Sequence, residues 1–277
     1  MPELPEVQTI VREMHEASLI GKKINKVIVF WPRSLSKIDP ETFCKNLANQ
    51  SIKAIDRRGK YLVFKLTNYT LFVHLRMTGK FLFTDKNDDS FYSHERIRLY
   101  LSDGRILRYE DQRKFGKWTL STSPEEILGK IGLEPLSPEF TLKAFQSIVK
   151  SHKRRAKAFL LDQRYIAGLG NIYVDEALWD AKVHPLRDVS TLSNSEVKAL
   201  YQAIPKVLQK GIDNIGTSLG AKRANYFSLS GKRGGNQYQL KVFRRDGEPC
   251  PRCNTKIVRI VVAQRGTHIC PNCQKFL

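Results

Sequence analysis

Two stretches of this chain of 277 residues carry side chains whose types and spacing could do chemistry. The first is Met1-Pro2-Glu3-Leu4-Pro5-Glu6-Val7. If Met1 is removed, Pro2 becomes a terminal secondary amine with a carboxylate beside it. A free α-amine titrates at about 7.7–8.0, against about 10.4 for lysine, so an appreciable fraction is neutral and nucleophilic at pH 7. Such an amine can attack an electrophilic carbon and form an imine, dividing one hard step into two easier ones. Glu3 is close enough in sequence to act as the acid. The plain alternative is that acids simply decorate a helix start, where the dipole favours them.

The second stretch holds four of the five cysteines. Cys250-Pro251-Arg252-Cys253 and Cys270-Pro271-Asn272-Cys273 make C-x2-C-x16-C-x2-C, the spacing of a zinc ribbon. Each pair can present two thiolates from one tight turn, and two such knuckles complete a tetrahedral sulfur site. All four positions are then filled by protein, which points to one structural Zn2+ and not a catalytic metal. Between the pairs, Ile257–Val262 and Gly266–Ile269 can form a hairpin whose tip carries Gln264-Arg265-Gly266. Arg265 could present its charge to a phosphate from there. Cys44 follows a helix start at Asp39-Pro40 and reads as a buried thiol.

Weaker signals lie between these ends. Gly168-Leu169-Gly170-Asn171 separates two helical stretches, and N–H groups opening a helix can cradle an anion. Lys153-Arg154-Arg155 with Lys157 concentrates charge as a phosphate-tracking patch would. Leu75-Arg76-Met77-Thr78-Gly79 and Asp111-Gln112-Arg113-Lys114-Phe115-Gly116 put large side chains into polar turns. Groups so placed can wedge a base stack and fill the hole left by an extruded nucleotide, although core packing is the default for Met and Phe. His74 reads first as a packed strand histidine. Lys60 opens a strand after Arg57-Arg58-Gly59, a position from which it could reach a pocket.

The composition restricts the partner. Lys+Arg 47 against Asp+Glu 27 gives a net charge of +20 and a pI near 9.8, which favours a polyanion. No apolar run approaches the ~18 residues of a membrane span, and no signal peptide is visible. A cytosolic setting and a nucleic-acid partner are expected.

The elements needed to position these residues can be read from periodicity. Val7, Ile10, Val11 and Met14 make the stripe of an amphipathic helix closed by Gly21. From Ile24 to about Leu120, short apolar runs separated by Arg58-Gly59, Thr78-Gly79 and Asp103-Gly104 predict a β-sandwich or flattened barrel. Gly132–Pro138 reads as a linker. Beyond it come helices at Leu142–Val149, Ala156–Leu161, Ile172–Ala181 and about Ser195 to Gly211. Residues 216–237 form a long Gly/Ser-rich loop, of a kind usually functional or disordered. Tyr238–Phe243 looks β-like.

These motifs, taken in order, resemble the bacterial formamidopyrimidine-DNA glycosylase family over the whole chain. The residues that carry the likeness are Pro2–Val7, Gly59-Lys60-Tyr61, His74–Gly79, Arg113–Gly116, Gly168–Asn171 and the terminal cysteines. The resemblance implies an α+β multidomain protein. An N-terminal β-sandwich with a leading helix spans 1–132, and a linker covers 133–140. A helix–two-turns–helix domain with a lesion-capping loop at 216–237 follows over 141–237, then a zinc-finger hairpin over 238–277. It also implies a DNA glycosylase/AP lyase that removes oxidised purines, with DNA lying between the domains.

The resemblance also implies a role for each residue. Pro2 would be the nucleophile, Glu3 the acid at the sugar ring oxygen, and Glu6 a supporting carboxylate. Lys60 would supply the proton for β-elimination, and Arg265 would bind phosphate and assist δ-elimination. Met77, Arg113 and Phe115 would fill the void, with Arg113 facing the orphaned cytosine. His74, Arg76, His94, Arg113, Lys157 and Asn171 would contact DNA. A monomer acting in the bacterial cytoplasm on double-stranded DNA with oxidised purines is expected, without a membrane partner. Two rivals stay open: endonuclease VIII, a sister enzyme for oxidised pyrimidines, and a zinc-ribbon DNA-binding protein without chemistry.

Overall fold

The fold is described from a computed structural model over residues 1–85, 88, 90–220 and 226–276. Its contacts divide the chain into two compact units, Met1–Leu128 with Asn214–Gln237, and Gly129–Asp213 with Tyr238–Leu277.

The first unit begins with helix α1, Leu4–Glu16. Glu3 caps it, and Glu6 reaches back to the Glu3 amide, so two otherwise orphaned N–H groups are satisfied reciprocally. The helix ends at Glu16, short of the expected Gly21, because Ala17 leaves helical geometry and Ser18 turns to positive φ. Its apolar stripe packs onto a sandwich of two four-stranded antiparallel sheets. One sheet has the order β1 (Ile24–Val29), β6 (Glu95–Leu101), β7 (Ile106–Asp111), β5 (Gly79–Thr84). The other runs β2 (Ile52–Arg58), β3 (Tyr61–Leu66), β4 (Thr70–His74), β8 (Lys117–Ser121). Helices α2 (Pro40–Leu47) and α3 (Glu125–Leu128) complete the unit. Phe43, Phe81, Tyr109 and Trp118 meet edge-on or tilted in the core, geometries that suit their ring quadrupoles.

Tyr226 and Leu229 belong to the same core as Val7, Ile10 and Met14. That burial is why 214–237 groups with the first unit and not with the helices before it, as the expected 141–237 domain would have it.

The second unit carries α4 (Leu142–Lys150), α5 (Ala156–Leu161), α6 (Asn171–Asp180) and α7 (Asn194–Asp213), within two residues of the expected spans. The expected linker is bound to this unit. The amides of Gly132 and Leu133 donate to Gln163 and Tyr165 carbonyls, and the Leu133 carbonyl accepts from Ala167. Strands β9 (Val258–Val262) and β10 (Arg265–Ile269) form the expected hairpin. Tyr238–Phe243 is not a strand. The amides of Lys241, Val242 and Phe243 all donate to the buried Glu176 carboxylate, and consecutive amides aimed at one acceptor cannot alternate as a ladder requires.

Candidate active site and metal centre

The helix start expected to carry the chemistry is buried. Pro2, Glu3 and Glu6 are all shielded from solvent at the head of α1. The Glu6 carboxylate divides its oxygens: Oε2 accepts the Glu3 amide at 2.7 Å, and Oε1 accepts the Thr217 amide at 2.7 Å. Gly216 makes this approach possible, since its φ is +81° and a Cβ there would lie 2.9 Å from Glu6 Cγ. The amine of Met1 senses Glu3, Glu6, Lys60 and Arg113 together. Burial, the largest influence, pushes it below its ordinary 8.0; Lys60 and Arg113 act the same way, and the two carboxylates oppose them. The structure therefore gathers Glu3, Glu6, Lys60 and Arg113 around the start of the chain.

Lys60 is only 5% exposed. It sits in the two-residue turn between β2 and β3, where Gly59 takes φ +55°. Arg57 staples this turn to α1, donating from Nε to Gln8 and from Nη1 to the Gly59 carbonyl. His74 pairs with Tyr61 across the sheet and meets its ring edge-on at 4.9 Å. Burial, then Arg76 and Lys60, drive its pKa from 6.5 down to about 3. Its Nδ1 accepts the Arg76 amide at 3.0 Å, so the neutral ring carries its proton on Nε2. His74 is thus packed and neutral, while Arg76 and His94 are exposed.

The two polar turns do present their large side chains. Met77 is 39% and Phe115 49% exposed. The Arg113 guanidinium lies 4.9 Å over the Phe115 ring, a cation–π contact that holds both groups at the same edge.

In the second unit, the expected DNA contact at Lys157 is corrected. Its side chain is fully buried, and Nζ donates to Asp175 Oδ1 at 2.6 Å and to the Gly266 carbonyl at 3.3 Å. A buried ammonium committed to a carboxylate has no path to a phosphate; it secures the hairpin tip. Asn171 opens α6 as expected and donates from Nδ2 to the same Gly266 carbonyl at 3.0 Å. Arg265 is exposed beside this anchor. The tip is a two-residue turn, Ala263-Gln264, with φ of +51° and +57°, the left-handed pair that tight hairpins require. Sequence reading missed Asp175, whose other oxygen takes the His268 amide at 2.9 Å, and Gln163, which braces the Gly168–Leu169 turn. No spacing rule marks either.

The four cysteine sulfurs Cys250, Cys253, Cys270 and Cys273 all lie within 4.8 Å of one another. That separation suits four thiolates at about 2.3 Å from one tetrahedral Zn2+. Amide N–H groups of Arg252 and Cys273 point at Cys250 and Cys270 sulfurs, and Trp179 Nε1 at Cys250. Hydrogen bonds from Thr255 and Asn272 hold Cys253 down at about 5, whereas burial and neighbouring sulfurs push Cys273 up to about 12. Such a set ionises fully only around a cation. Gln274 ties the finger to the helices, accepting the Cys270 amide and donating to the Val183 carbonyl.

The expected capping loop is described at both ends. Ser218 Oγ donates to the Tyr226 carbonyl, and the Glu13 carboxylate on α1 accepts from the amide and hydroxyl of Ser230. Residues 221–225 lie outside the described residues.

Residues 1–118 match the formamidopyrimidine-DNA glycosylase N-terminal domain, 131–222 the formamidopyrimidine-DNA glycosylase H2TH domain, and 247–275 the zinc finger found in FPG and IleRS. The chain belongs to the formamidopyrimidine-DNA glycosylase family. A formamidopyrimidine-DNA glycosylase of Protochlamydia amoebophila is 50% identical over 99% of this chain and 100% of its own. One from Enterococcus faecalis is 44% identical over 100% of this chain and 98% of its own. Among solved structures, Lactococcus lactis Fpg (MutM) with N7-benzyl-Fapy-dG DNA aligns with a TM-score of 0.89 at 39% identity. That alignment covers 99% of this chain and 100% of the other. MutM with carbocyclic 8-oxo-G DNA aligns at 0.88, also at 39% identity and over the same shares of the two chains. As a member of this family, the chain is a bifunctional DNA glycosylase/AP lyase of base-excision repair with a structural Zn2+ in its four-cysteine finger. Among the described residues no helix is long and apolar enough to cross a membrane.

Proposed function

We propose that the N-terminal amine carries the chemistry of this glycosylase, with Met1 removed so that Pro2 is the nucleophile. The substrates are formamidopyrimidine and 8-oxoguanine nucleotides in damaged duplex DNA. The Pro2 nitrogen attacks C1′, and Glu3 protonates the sugar ring oxygen as the ring opens. The damaged base leaves, and an iminium joins the enzyme to the sugar. The iminium acidifies the C2′ proton, and elimination cuts first on the 3′ side and then on the 5′ side. Lys60 serves the first elimination and Arg265 the second. Met77, Arg113 and Phe115 fill the void, and Arg113 faces the orphaned cytosine. Arg76, His94, Asn171 and the neutral Nε2–H of His74 contact the DNA backbone.

The observation that carries this reading is the buried head of α1, where Pro2, Glu3 and Glu6 are withdrawn from solvent and the buried Lys60 acts with the two carboxylates on the terminal amine. Burial lowers an amine's pKa and enlarges its nucleophilic fraction at neutral pH. We read the protein as a monomer in the bacterial cytoplasm, as the family resemblance implies; its charge of +20 supports only the part of the reading in which it acts on nucleoid DNA.

Borohydride trapping on a duplex with 8-oxoguanine opposite cytosine tests the proposal, using untagged protein and Pro2→Gly. A covalent band that depends on the lesion and is lost in Pro2→Gly is expected. A band in Pro2→Gly equal to wild type would overturn the role of Pro2. Trapping only on an oxidised-pyrimidine duplex would move the lesion class to that of endonuclease VIII.

A further inference from the structure

The two turns that expose Met77 and Phe115 meet at one buried carboxylate. Asp111 ends β7 with a side chain fully withdrawn from solvent. Its Oδ1 accepts the Thr78 hydroxyl from the first turn and the Arg113 amide, at 3.2 Å, from the second. Its Oδ2 accepts the Gly116 amide at 2.7 Å. Thr78 Oγ1 closes the circuit by accepting the same Arg113 amide at 3.0 Å. The Asp111 amide donates to the His94 carbonyl at 2.9 Å, and Arg96 Nε donates to the Asp111 carbonyl at 2.9 Å.

The packing leaves no slack around this hub. A Cβ on Gly79 or Gly116 would come within 2.5 Å or 1.6 Å of the Tyr109 hydroxyl. Arg76 and Lys114 both take positive φ, at 55° and 60°. The Lys114 ammonium lies 4.0 Å over the Trp31 ring, a second tether on the turn that carries Arg113 and Phe115. Only an ionised carboxylate accepts at every lone pair, and the three groups that meet this one, a hydroxyl and two backbone amides, are all donors to it. An amide in its place would set its own N–H groups against at least one of them.

We infer that Asp111, acting through Thr78, is a positioning residue that locks the Met77 turn and the Arg113–Phe115 turn into one rigid wedge. This rests on the reading that those three residues fill the void. Two turns moving independently would enter a base stack out of register, and errors near 1 Å in placed groups cost about 100-fold in rate. A rigid pair enters together, so extrusion of a paired base depends on the link, whereas attack by the amine does not.

Thr78→Val cuts the link between the turns while leaving Asp111 its bonds to its own turn. Thr78→Ser keeps the hydroxyl. Single-turnover excision from an 8-oxoguanine·cytosine duplex should fall at least tenfold in Thr78→Val and return to wild type in Thr78→Ser. Discrimination between cytosine and adenine opposite the lesion, which the proposed contact of Arg113 with the orphaned cytosine would confer, should shrink by a similar factor. Cleavage at an abasic site in a single strand, which has no partner base to displace, should stay within twofold. Unchanged excision and opposite-base preference in Thr78→Val would overturn the inference, as would an equal loss on paired and single-stranded substrates. Met77→Ala and Arg113→Ala separate the two readings. If these also leave paired excision intact, void filling itself falls; if they impair it and Thr78→Val does not, only the positioning role falls.

Discussion

The Glu6 carboxylate and the Thr217 amide stand 211 positions apart in the chain and 2.7 Å apart in space. The same carboxylate caps α1 through the Glu3 amide. One side chain therefore joins the start of α1 to the start of the loop after α7. Both of its bonds need an acceptor.

Glu6→Gln retains one acceptor oxygen and turns an NH2 toward the other amide. Leaving one buried N–H unsatisfied costs about 1–3 kcal/mol. Base excision in a single turnover should therefore slow by roughly 10- to 100-fold, while cleavage of a preformed abasic site falls less. Equal losses in both steps would show that Glu6 serves the amine alone and not the loop.

Lys157→Met leaves Asp175 buried without its cation, and breaking such a pair costs about 3–5 kcal/mol. A large drop in melting temperature is expected. The dependence of DNA affinity on salt should keep its slope, measured as log K against log salt. A slope reduced by about one would instead mark Lys157 as a phosphate contact.

His74 makes stability depend on pH with a defined sign. Its pKa is about 3 when folded and 6.5 when exposed, so the unfolded chain binds the proton that the folded protein refuses. The stability from this group is complete above pH 6.5 and is lost as pH falls from there toward 3, at about 1.4 kcal/mol per unit. Urea denaturation at pH 7.0 and 5.5 should show a larger acid loss in wild type than in His74→Asn. Equal losses would show that the ring is solvated.

Chelation or Cys253→Ser should release the one bound zinc, read by metal analysis. Without the metal, β9 and β10 lose the cross-link at their bases, and Arg265 loses its fixed place at the tip. Affinity for a lesion duplex should fall at least tenfold. Retained affinity in zinc-free protein would show that the hairpin binds DNA without metal support.

Much of this was legible along the chain because it follows local rules. The stripe Val7, Ile10, Val11, Met14 specifies a helix, the turn glycines separate strands, and the cysteine spacing suits one tetrahedral ion whatever the surroundings. Gly21 and Tyr238–Phe243 misled, because a left-handed Ser18 and the carboxylate of Glu176 settled those boundaries instead.

The sequence by itself determined most of the helices and strands and the zinc ligands, since each depends on neighbours within one turn or one knuckle. Tertiary structure alone decided that Lys157 faces Asp175, that Glu6 meets Thr217, that 214–237 packs with the first unit, and that Asp111 joins two turns. Those contacts unite residues far apart in sequence. A buried carboxylate or ammonium is placed by the donors and acceptors that folding brings to it, and no periodicity of the backbone records which those will be.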